Sequence, residues 1–389
     1  MTSGSQFVAQ AADLMDQYLD DLQAIVNIDS GTYTKSGVDR VAVYLQERFQ
    51  AFGFATRLER QEQYGDHLVA THTGNLPNGP RILLVGHTDT VFPDGEVARR
   101  PFTIARRDDQ RVALGPGVLD MKSGLLIGMY ALHLLIASQQ ANYREVTFVC
   151  NSDEEIGSPS SRELIQAIAR QSDAALVLEP GRALDTVVSS RRASGQYRVA
   201  VRGLSAHAGV EPQKGRNAIF ELSYQVQKMQ ALNGTVPGAS LSVSIIHGGD
   251  RVNVVPDYAY FDMDARASSK AAIQAIEAAM QRVVAQHVLD GTQITLSGGM
   301  LSAPFERSKQ NERLVRLVKE AGKDLGIAIQ DVGSGGASDA NNTSAVGTPT
   351  LDGLGAGGGL AHNPDEYIEL DYLPTRIALL AGLIQRIGK

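Results

Sequence analysis

Hydrophobic residues recur at helical spacing in two stretches near the N-terminus, from Asp13 to Ile28 and from Val38 to Phe52. Intervals of three and four residues place apolar side chains on one face of a helix, and Gly53 is suited to end the second stretch. The pattern therefore predicts two N-terminal helices. Short β-rich runs follow and end at RILLVG (81–86), after which a long loop is predicted up to Asp120.

Strands and helices then alternate along the chain. The pattern predicts an apolar helix from about Ser123 to Ala137, a strand from Val146 to Cys150, a helix from about Ser160 to Arg170 and a strand from Ala174 to Leu178. Alternation of this kind is typical of a mainly parallel sheet with helices on both faces. We therefore expect an α/β domain of that class.

The pattern changes near Val187 and changes back near Ser302. Between these points the chain shows the order strand, helix, strand, strand, helix, strand, which predicts an α+β two-layer sandwich with an antiparallel sheet. The predicted elements are 196–203, Asn217 to Met229, 240–246, 258–266, Lys270 to His287 and 293–299, followed after the sandwich by helices from Asn311 to Leu325 and from about Tyr372 to Ile387. The sequence thus predicts one domain formed by 1–187 and 303–389, with a second domain, 188–302, inserted into it.

Composition and charge limit the number of domains and the kinds of binding partner that we expect. A chain of 389 residues that is 43% hydrophobic exceeds the roughly 250–300 residues that one core usually serves. The formal net charge of -7 provides no overall basic field, so we expect neither a nucleic-acid partner nor binding to an anionic membrane. The N-terminus lacks the pattern of a secretory signal, and no apolar run approaches the roughly 20 residues of a membrane span. With one cysteine, Cys150, an internal disulfide framework is excluded, and we expect a cytoplasmic protein.

Five short segments spread over the chain carry side chains that bind metals. They are VGHTDT with His87, GPGVLDMKSG with Asp120, NSDEEIGS with Glu154 and Glu155, LEPG with Glu179, and AHNPDEY with His362. Each segment follows a predicted strand or begins a helix, so all five can converge at one end of a single sheet. Zinc binds histidine nitrogen and carboxylate oxygen, and a catalytic zinc keeps one position open for water. A single histidine is more often structural, but five such segments together predict a site for two zinc ions.

Two of these segments suggest separate roles within the site. Asp89 lies two residues after His87, close enough to accept a hydrogen bond from the ring nitrogen that faces away from the metal and so to fix the tautomer. Asp153, Glu154 and Glu155 follow a buried strand, where their mutual repulsion is costly unless cations neutralise it. Of two adjacent glutamates, one can bind metal while the other transfers protons. A solvated acidic turn before a helix remains the alternative for this triplet.

Six motifs, in the same order, resemble the M20 family of dinuclear zinc metallopeptidases, and its glutamate carboxypeptidase branch is the most similar. The motifs are HTDT, GPGVLDMKSG, NSDEEIGS, LEPG, RGLSAHAG and HNPDEYIEL, and the likeness runs from about Asp20 to the last helix. The ligand set implied by the resemblance is His87 and Glu179 for one zinc, Glu155 and His362 for the other, and Asp120 as the bridging carboxylate. The resemblance also implies that Glu154 is the general base and that the peptide bond after Asp120 is cis.

For three residues of the inserted domain, a functional role is implied only by the resemblance. It implies that His207, in GLSAHAG, reaches the active site of the partner subunit in a homodimer and helps to stabilise the oxyanion there. Without the resemblance, this histidine is an ordinary loop residue. Asn253 and Arg266 stand where relatives contact the substrate carboxylate, which arginine binds well in a bidentate manner. A structural salt bridge remains an alternative for Arg266.

The last implied contacts lie in a glycine-rich loop. Relatives place Gly335, Gly336 and Ser338 beside the bound substrate, although a tight turn explains the glycines equally well. Glu179 stands where aminopeptidase relatives have an aspartate, which favours carboxypeptidase or deacylase members of the family.

The resemblance implies a hydrolase with two Zn²⁺ ions per subunit that cleaves a peptide or N-acyl amide bond next to a free carboxylate and releases a C-terminal amino acid such as glutamate. Alternatives among enzymes are an N-acyl amino acid deacylase of the acetylornithine or succinyl-diaminopimelate type and a di- or tripeptidase. The non-enzyme alternative is a metal-dependent small-molecule binding protein, which would need neither Glu154 nor His207. The expected partners are therefore a small peptide or N-acyl amino acid substrate and a second copy of the chain.

Overall fold

The computed structural model describes residues 3–181 and 183–389. These residues form two compact units, and the architecture is mixed α/β, as the sequence predicts. The first unit contains the described residues up to Ser190, together with Arg307–Gly333 and Ser338–Lys389. The second unit contains Arg191–Glu306 and Ser334–Ala337.

Helices and strands alternate over most of the described chain. The helices are α1 Ser3–Asp13, α2 Met15–Val26, α3 Lys35–Ala51, α4 Glu96–Arg99, α5 Ser123–Ala137, α6 Arg162–Ala169, α7 Ala218–Gln230, α8 Lys270–Val284, α9 Lys309–Asp324, α10 Asp339–Ala345 and α11 Leu373–Ile387. The strands are β1 Ala55–Glu59, β2 His67–Thr73, β3 Arg81–His87, β4 Thr103–Arg107, β5 Gln110–Leu114, β6 Glu145–Asn151, β7 Ala174–Val177, β8 Thr186–Arg191, β9 Ala193–Arg202, β10 Ala206–His207, β11 Ala239–Gly248, β12 Val254–Val255, β13 Tyr258–Ala267, β14 Gln293–Met300, β15 Gln330–Ser334, β16 Thr350–Leu351, β17 Gly358–Gly359 and β18 Tyr367–Glu369.

A six-stranded sheet in the order β1-β2-β6-β3-β7-β16 forms the centre of the first unit. The pairs β6/β3, β3/β7 and β7/β16 are parallel, whereas β1/β2 and β2/β6 are antiparallel. Strand β3 lies between two parallel neighbours, and all of its residues after Arg81 are buried. Continuous burial of this kind is expected for a parallel strand that is covered on both faces. The carboxyl ends of β6, β3 and β7 consequently meet at one edge of the sheet.

Helix α5 is the apolar helix that the sequence predicts from about Ser123 to Ala137, and the structure confirms both its bounds and its burial. The expectation that no apolar run approaches the length of a membrane span is wrong for Val118–Ala137, which among the described residues is long and apolar enough to cross a bilayer. However, 83% of its most apolar window is buried inside the structure. Its hydropathy is therefore that of a core helix.

The prediction of two N-terminal helices and of a plain loop before Asp120 is wrong at four elements, which are α1, α4, β4 and β5. Helix α1 precedes the two predicted helices and packs against α11, and Phe7 and Val8 are its only large apolar residues, so it presents only a short apolar face. Strands β4 and β5 form an antiparallel hairpin within the expected loop. Most of their residues are exposed, and their charged sequence hides the alternation that marks a half-buried strand.

The second unit is built on an antiparallel sheet in the order β11-β13-β9-β14. Helices α7 and α8 pack against this sheet, and Val199, Phe261 and Met280 are among the buried residues of their shared core. Both helices begin at side-chain caps, since Asn217 accepts a hydrogen bond from the amide of Phe220 and Ser269 accepts one from the amide of Ala272. The strand and helix order is the one that the sequence predicts.

Candidate metal centre

Three candidate segments of the first unit follow the parallel strands β3, β6 and β7. His87 is the last residue of β3 and pairs in register with Asn151, the last residue of β6. Glu154 and Glu155 come three and four residues after that position, and Glu179 lies two residues beyond β7. Because these strands are parallel neighbours, their carboxyl ends carry the three segments to the same edge of the sheet, as the sequence predicts.

The imidazole of His87 is oriented by Asp89 and is only 1% exposed. Its Nδ1 lies 2.9 Å from the backbone carbonyl oxygen of Asp89 and 3.4 Å from the Oδ1 atom of the Asp89 carboxylate. Nδ1 therefore donates, and Nε2 is left to bind a metal. The sequence predicts that the Asp89 carboxylate makes this contact, but the shorter of the two distances is to the Asp89 carbonyl oxygen.

The carboxylate of Asp89 instead holds the neighbouring acidic segment. It accepts hydrogen bonds from the Thr32 hydroxyl at 2.6 Å and from the amides of Glu154 at 3.2 Å and Glu155 at 3.3 Å. Asp89 thus connects the segment of His87 to the two adjacent glutamates. Thr32 has no recognisable signal in the sequence pattern, because its role depends on a contact with a residue 57 positions away.

The carboxylate of Asp120 faces a different histidine with each of its oxygens. Its Oδ1 lies 3.1 Å from Nε2 of His87, and its Oδ2 lies 3.2 Å from Nε2 of His362. His87 Nε2 is also 3.8 Å from Glu179 Oε1, and His362 Nε2 is 3.3 Å from Glu155 Oε2. Two tetrahedral zinc ligands with bonds of about 2.0–2.1 Å stand about 3.3 Å apart, which is close to most of these separations. The peptide bond between Asp120 and Met121 is cis, as the resemblance implies.

The donor atoms of this cluster fit metal ions. One ligand atom from each of His87, Glu154 and Glu179 lies within 4.8 Å of the others, and the same holds for His87, Asp120 and Glu155. The Oε1 atom of Glu155 is buried and has no hydrogen-bond partner among the described residues. Leaving a buried carboxylate oxygen without a partner costs free energy unless a cation binds there. The arrangement is therefore a candidate site for two metal ions.

The protonation equilibria of the cluster show how strongly it favours positive charge. Hydrogen bonds to Asp120 and Glu155 raise the pKa of His362 to about 10. Burial lowers the pKa of His87, but its contacts with Asp120 and Asp89 more than offset this and raise it well above the usual value. Burial and the nearby Glu179 carboxylate raise the pKa of Glu154 well above its usual range. Without metal, protons thus supply the positive charge that the carboxylates of the cluster require, namely those of Asp120, Glu154, Glu155 and Glu179.

Other buried acids next to the cluster are satisfied by hydrogen bonds instead. Asp153 accepts hydrogen bonds from the amides and hydroxyls of Ser160 and Ser161. Asp339 accepts hydrogen bonds from Asn151, Ser158 and Asn342. The first acid of the Asp153, Glu154, Glu155 triplet therefore holds the loop in place, whereas the two glutamates face the cluster.

In the second unit, His207 and Asn253 lie on adjacent segments. His207 pairs in register with Val254, and the amide of Ala208 donates to the Asn253 carbonyl at 3.0 Å. Both residues are exposed. The structure therefore places the two residues close to one another on the surface of this unit.

The remaining predicted substrate contacts have internal partners. Arg266 forms a bidentate pair with Asp264, with both distances 2.9 Å, which is the salt bridge that the sequence reasoning kept as an alternative. The carbonyl oxygen of Gly336 accepts a hydrogen bond from Arg191 at 3.2 Å. At Gly335, no described atom lies within 4 Å of the position that a Cβ atom would occupy. Ser338 is the buried N-cap of α10, and its hydroxyl donates to Asp352 at 2.8 Å.

Comparisons with known proteins identify the family of this chain. A model of Peptidase family M20/M25/M40 matches residues 83–386. Carboxypeptidase G2 from Pseudomonas sp. (strain RS-16) is 28% identical over 386 residues, covering 97% of this chain and 91% of that protein. Succinyl-diaminopimelate desuccinylase from Stenotrophomonas maltophilia (strain R551-3) is 26% identical over 353 residues, covering 86% and 92%.

Solved structures share the fold over the whole chain. The crystal structure of aminopeptidase PepT from Bacillus cereus ATCC 10987 superposes with a TM-score of 0.81 at 21% identity, covering 96% of this chain and 99% of that one. The family match spans most of the chain and includes the segments of all the candidate ligands. The chain belongs to peptidase family M20/M25/M40 and is an enzyme of the M20 metallopeptidase type.

Proposed function

We propose that this enzyme is a dizinc amidohydrolase that cleaves a peptide or N-acyl amide bond next to a free carboxylate. The observation that carries the proposal is the Asp120 carboxylate, whose two oxygens face two different histidines. His87 and Glu179 would hold one zinc ion, His362 and Glu155 would hold the other, and Asp120 would serve both. Histidine nitrogen and carboxylate oxygen are ligands that zinc prefers in hydrolytic sites.

Glu154 is the proposed general base of the reaction. Bound zinc ions supply Lewis acidity for a carbonyl oxygen and lower the pKa of a water molecule. Glu154 takes a proton from the attacking water, the water oxygen bonds to the carbonyl carbon, and the carbon–nitrogen bond breaks as Glu154 returns the proton to the leaving amine. A carboxylate at this position can both accept and return a proton. Asp89 keeps Glu154 in place through its backbone amide.

The proposed substrate has a C-terminal glutamate. Similarity to carboxypeptidase G2 over most of both chains supports this choice. A succinyl-diaminopimelate desuccinylase is nearly as similar in identity, so N-succinyl and N-acetyl amino acids form the second substrate class. Both classes carry a free carboxylate beside the scissile amide and need the same metal centre.

The test is hydrolysis of a substrate panel by the zinc-loaded enzyme, with release of free amine as the readout. The panel contains N-acyl glutamates, including folate-like compounds, N-acetylornithine, N-succinyl-diaminopimelate, and di- and tripeptides. We expect the largest kcat/KM for a compound with a C-terminal glutamate. A desuccinylated or deacetylated product formed faster than glutamate would move the assignment to the second class, and turnover of none of them would contradict an amidohydrolase.

We further infer a homodimer formed through the inserted unit, with His207 serving the active site of the partner subunit. Apolar side chains on α7 and on the edge strand β11 are exposed, and a second copy of the chain would cover them: Ile219, Phe220, Tyr224, Ile245 and Ile246. The assignment of His207 itself comes from the resemblance to the family.

Mixed dimers test this inference. Glu154→Gln and His207→Ala should each be nearly inactive alone. A dimer of the two has one site with an intact Glu154 and a wild-type His207 from its partner, so random pairing restores up to about a quarter of wild-type activity. If the subunits demonstrably exchange and no activity returns, His207 does not act in trans.

A further inference from the structure

Glu366 connects the segment of His362 to the segment of Asp120. Its side chain is 0% exposed, and its carboxylate accepts three hydrogen bonds from backbone amides. Oε1 accepts from Leu119 at 2.7 Å and from Asp120 at 2.9 Å, and Oε2 accepts from Gly117 at 3.2 Å. Both oxygens are therefore used to hold one short turn, and one of the three amides belongs to the candidate bridging ligand itself.

The turn that Glu366 holds has little freedom to relax. Gly117 has a φ of 70°, which is the left-handed region that glycine tolerates and most other residues avoid. A Cβ atom at this glycine would lie 2.4 Å from Cγ2 of Thr90. The turn is thus packed against the segment that follows His87 on one side and hydrogen-bonded to Glu366 on the other.

The segment that carries Glu366 is itself in an uncommon conformation. His362 has a φ of 64° and Leu360 a φ of 61°, although neither residue is glycine. Such conformations persist only where the surroundings fix them. Glu366 lies four residues after His362, and its amide donates to the Asn363 carbonyl at 3.0 Å, so the three bonds of its carboxylate anchor this segment as well.

We propose that Glu366 is a positioning residue, which sets the Asp120 carboxylate relative to His362 before metal binds. The inference rests on the proposed function, since it assumes that Asp120 and His362 are zinc ligands. Outer partners of metal ligands typically change metal affinity or activity by roughly 10–100-fold when they are replaced. Glu366 contacts neither the proposed metal position nor a substrate. Replacing it therefore changes zinc affinity only by changing the positions of Asp120 and His362.

The second unit offers a matched control for a purely structural role. Glu221 is also 0% exposed, and its Oε2 accepts hydrogen bonds from the amides of Val288 at 2.8 Å and Leu289 at 2.6 Å. Its Oε1 accepts from Gln225 at 2.8 Å. Replacing either glutamate by glutamine removes a buried carboxylate that holds backbone amides, but only Glu366 is bonded to a candidate ligand.

The experiment compares Glu366→Gln, Glu221→Gln and Asp365→Asn with the wild-type enzyme after removal of metal by a chelator. Asp365 is exposed and adjacent, so its variant controls for the loss of one negative charge. Zn²⁺ affinity is measured by competition with a chromophoric chelator, and unfolding midpoints are measured without metal. In Glu366→Gln the side-chain oxygen can still accept from the amides of Leu119 and Asp120. The new NH₂ group faces the amide of Gly117, and because both groups are donors, that hydrogen bond is lost.

We expect Glu366→Gln to weaken zinc binding by roughly 10–100-fold, with Glu221→Gln and Asp365→Asn close to wild type. The two glutamine variants should lose comparable thermal stability, which separates positioning from general destabilisation. Zinc affinity in Glu366→Gln equal to that in Glu221→Gln would overturn the inference. If the wild-type enzyme itself binds no zinc, the proposed function fails instead.

A second measurement needs no variant and keeps the inference testable if Glu366→Gln does not fold. Amide hydrogen exchange of the metal-free wild-type enzyme should show protection at Gly117, Leu119 and Asp120, because Glu366 already binds these amides. Rapid exchange at all three positions in the metal-free enzyme would mean that metal, rather than Glu366, orders the turn.

Discussion

The two units of this protein differ in how their candidate functional residues satisfy their charges. In the first unit, the candidate ligands mainly face each other, and Glu155 keeps one buried oxygen without a partner among the described residues. In the second unit, Arg266 is neutralised by Asp264, and His207 and Asn253 lie on the surface. The first arrangement needs positive charge from metal ions or from protons, whereas the second is complete without a ligand.

This difference shows which assignments stand on physical grounds. A cluster of buried carboxylates around two histidines is costly unless positive charge enters it, so the candidate metal site follows from the arrangement itself. An exposed histidine and a paired arginine carry no such requirement. Their roles rest on the resemblance to the family and need separate tests.

The largest expected effect separates the two adjacent glutamates of the first unit. Glu154→Gln should retain both metals and lose roughly 10²–10⁴-fold in turnover, because proton transfer is lost while the ligands remain. Glu155→Gln should lose metal as well, since it removes a ligand of the second position. Metal content and kcat of both purified variants check this pair of outcomes. Equal loss of metal in the two variants would show that their roles are wrongly assigned.

A second expected effect concerns the protons that the metal-free cluster holds. The pKa of His362 is raised to about 10, so its imidazole is protonated at neutral pH without metal, and the raised pKa of His87 favours its protonated form as well. Zinc binds only the neutral ring, so binding releases these protons, and each one makes the apparent affinity rise up to about tenfold per pH unit. Calorimetric titration with Zn²⁺ in buffers of different ionisation enthalpy counts the protons released.

The matched control for proton release is His362→Gln, which should release fewer protons than the wild-type enzyme. Zinc affinity should therefore increase between pH 6 and pH 8 in the wild-type enzyme and increase less steeply in the variant. A zinc affinity independent of pH over this interval would contradict the protonated cluster.

The smallest expected effect decides whether Arg266 of the second unit binds substrate. Arg266→Ala should raise KM on the order of tenfold for a substrate with a free carboxylate, because a hydrogen-bonded charge pair with the substrate is lost. Arg198→Ala is the matched control, since Arg198 forms the same bidentate pair with Asp262 in the same sheet. If both variants give unchanged KM values, the pair of Arg266 and Asp264 is structural only.

Much of the fold and of the metal cluster could be predicted from local sequence patterns. His87, Glu154 and Glu179 follow apolar runs that form neighbouring parallel strands, so a local pattern was enough to place them together. Helix α1 and the β4/β5 hairpin were missed because α1 has few large apolar residues and the hairpin strands are charged and mostly exposed.

The residues that support the ligands could not be found in the same way. Glu366 contacts a turn 246 to 249 positions earlier in the chain, and Thr32 contacts Asp89 from a different segment. Neither contact leaves a periodic or spacing signal, because each depends on how distant segments pack. Within AHNPDEY, the sequence predicts His362 as a ligand and indicates no role for Glu366.

The central claim is that the first unit holds two metal ions on which hydrolysis depends. The most direct measurement is elemental analysis of the purified enzyme together with its activity before chelation, after chelation and after zinc is restored. We predict close to two metals per chain, loss of hydrolysis on chelation and recovery with Zn²⁺. A metal-free enzyme that retains full activity would contradict the account.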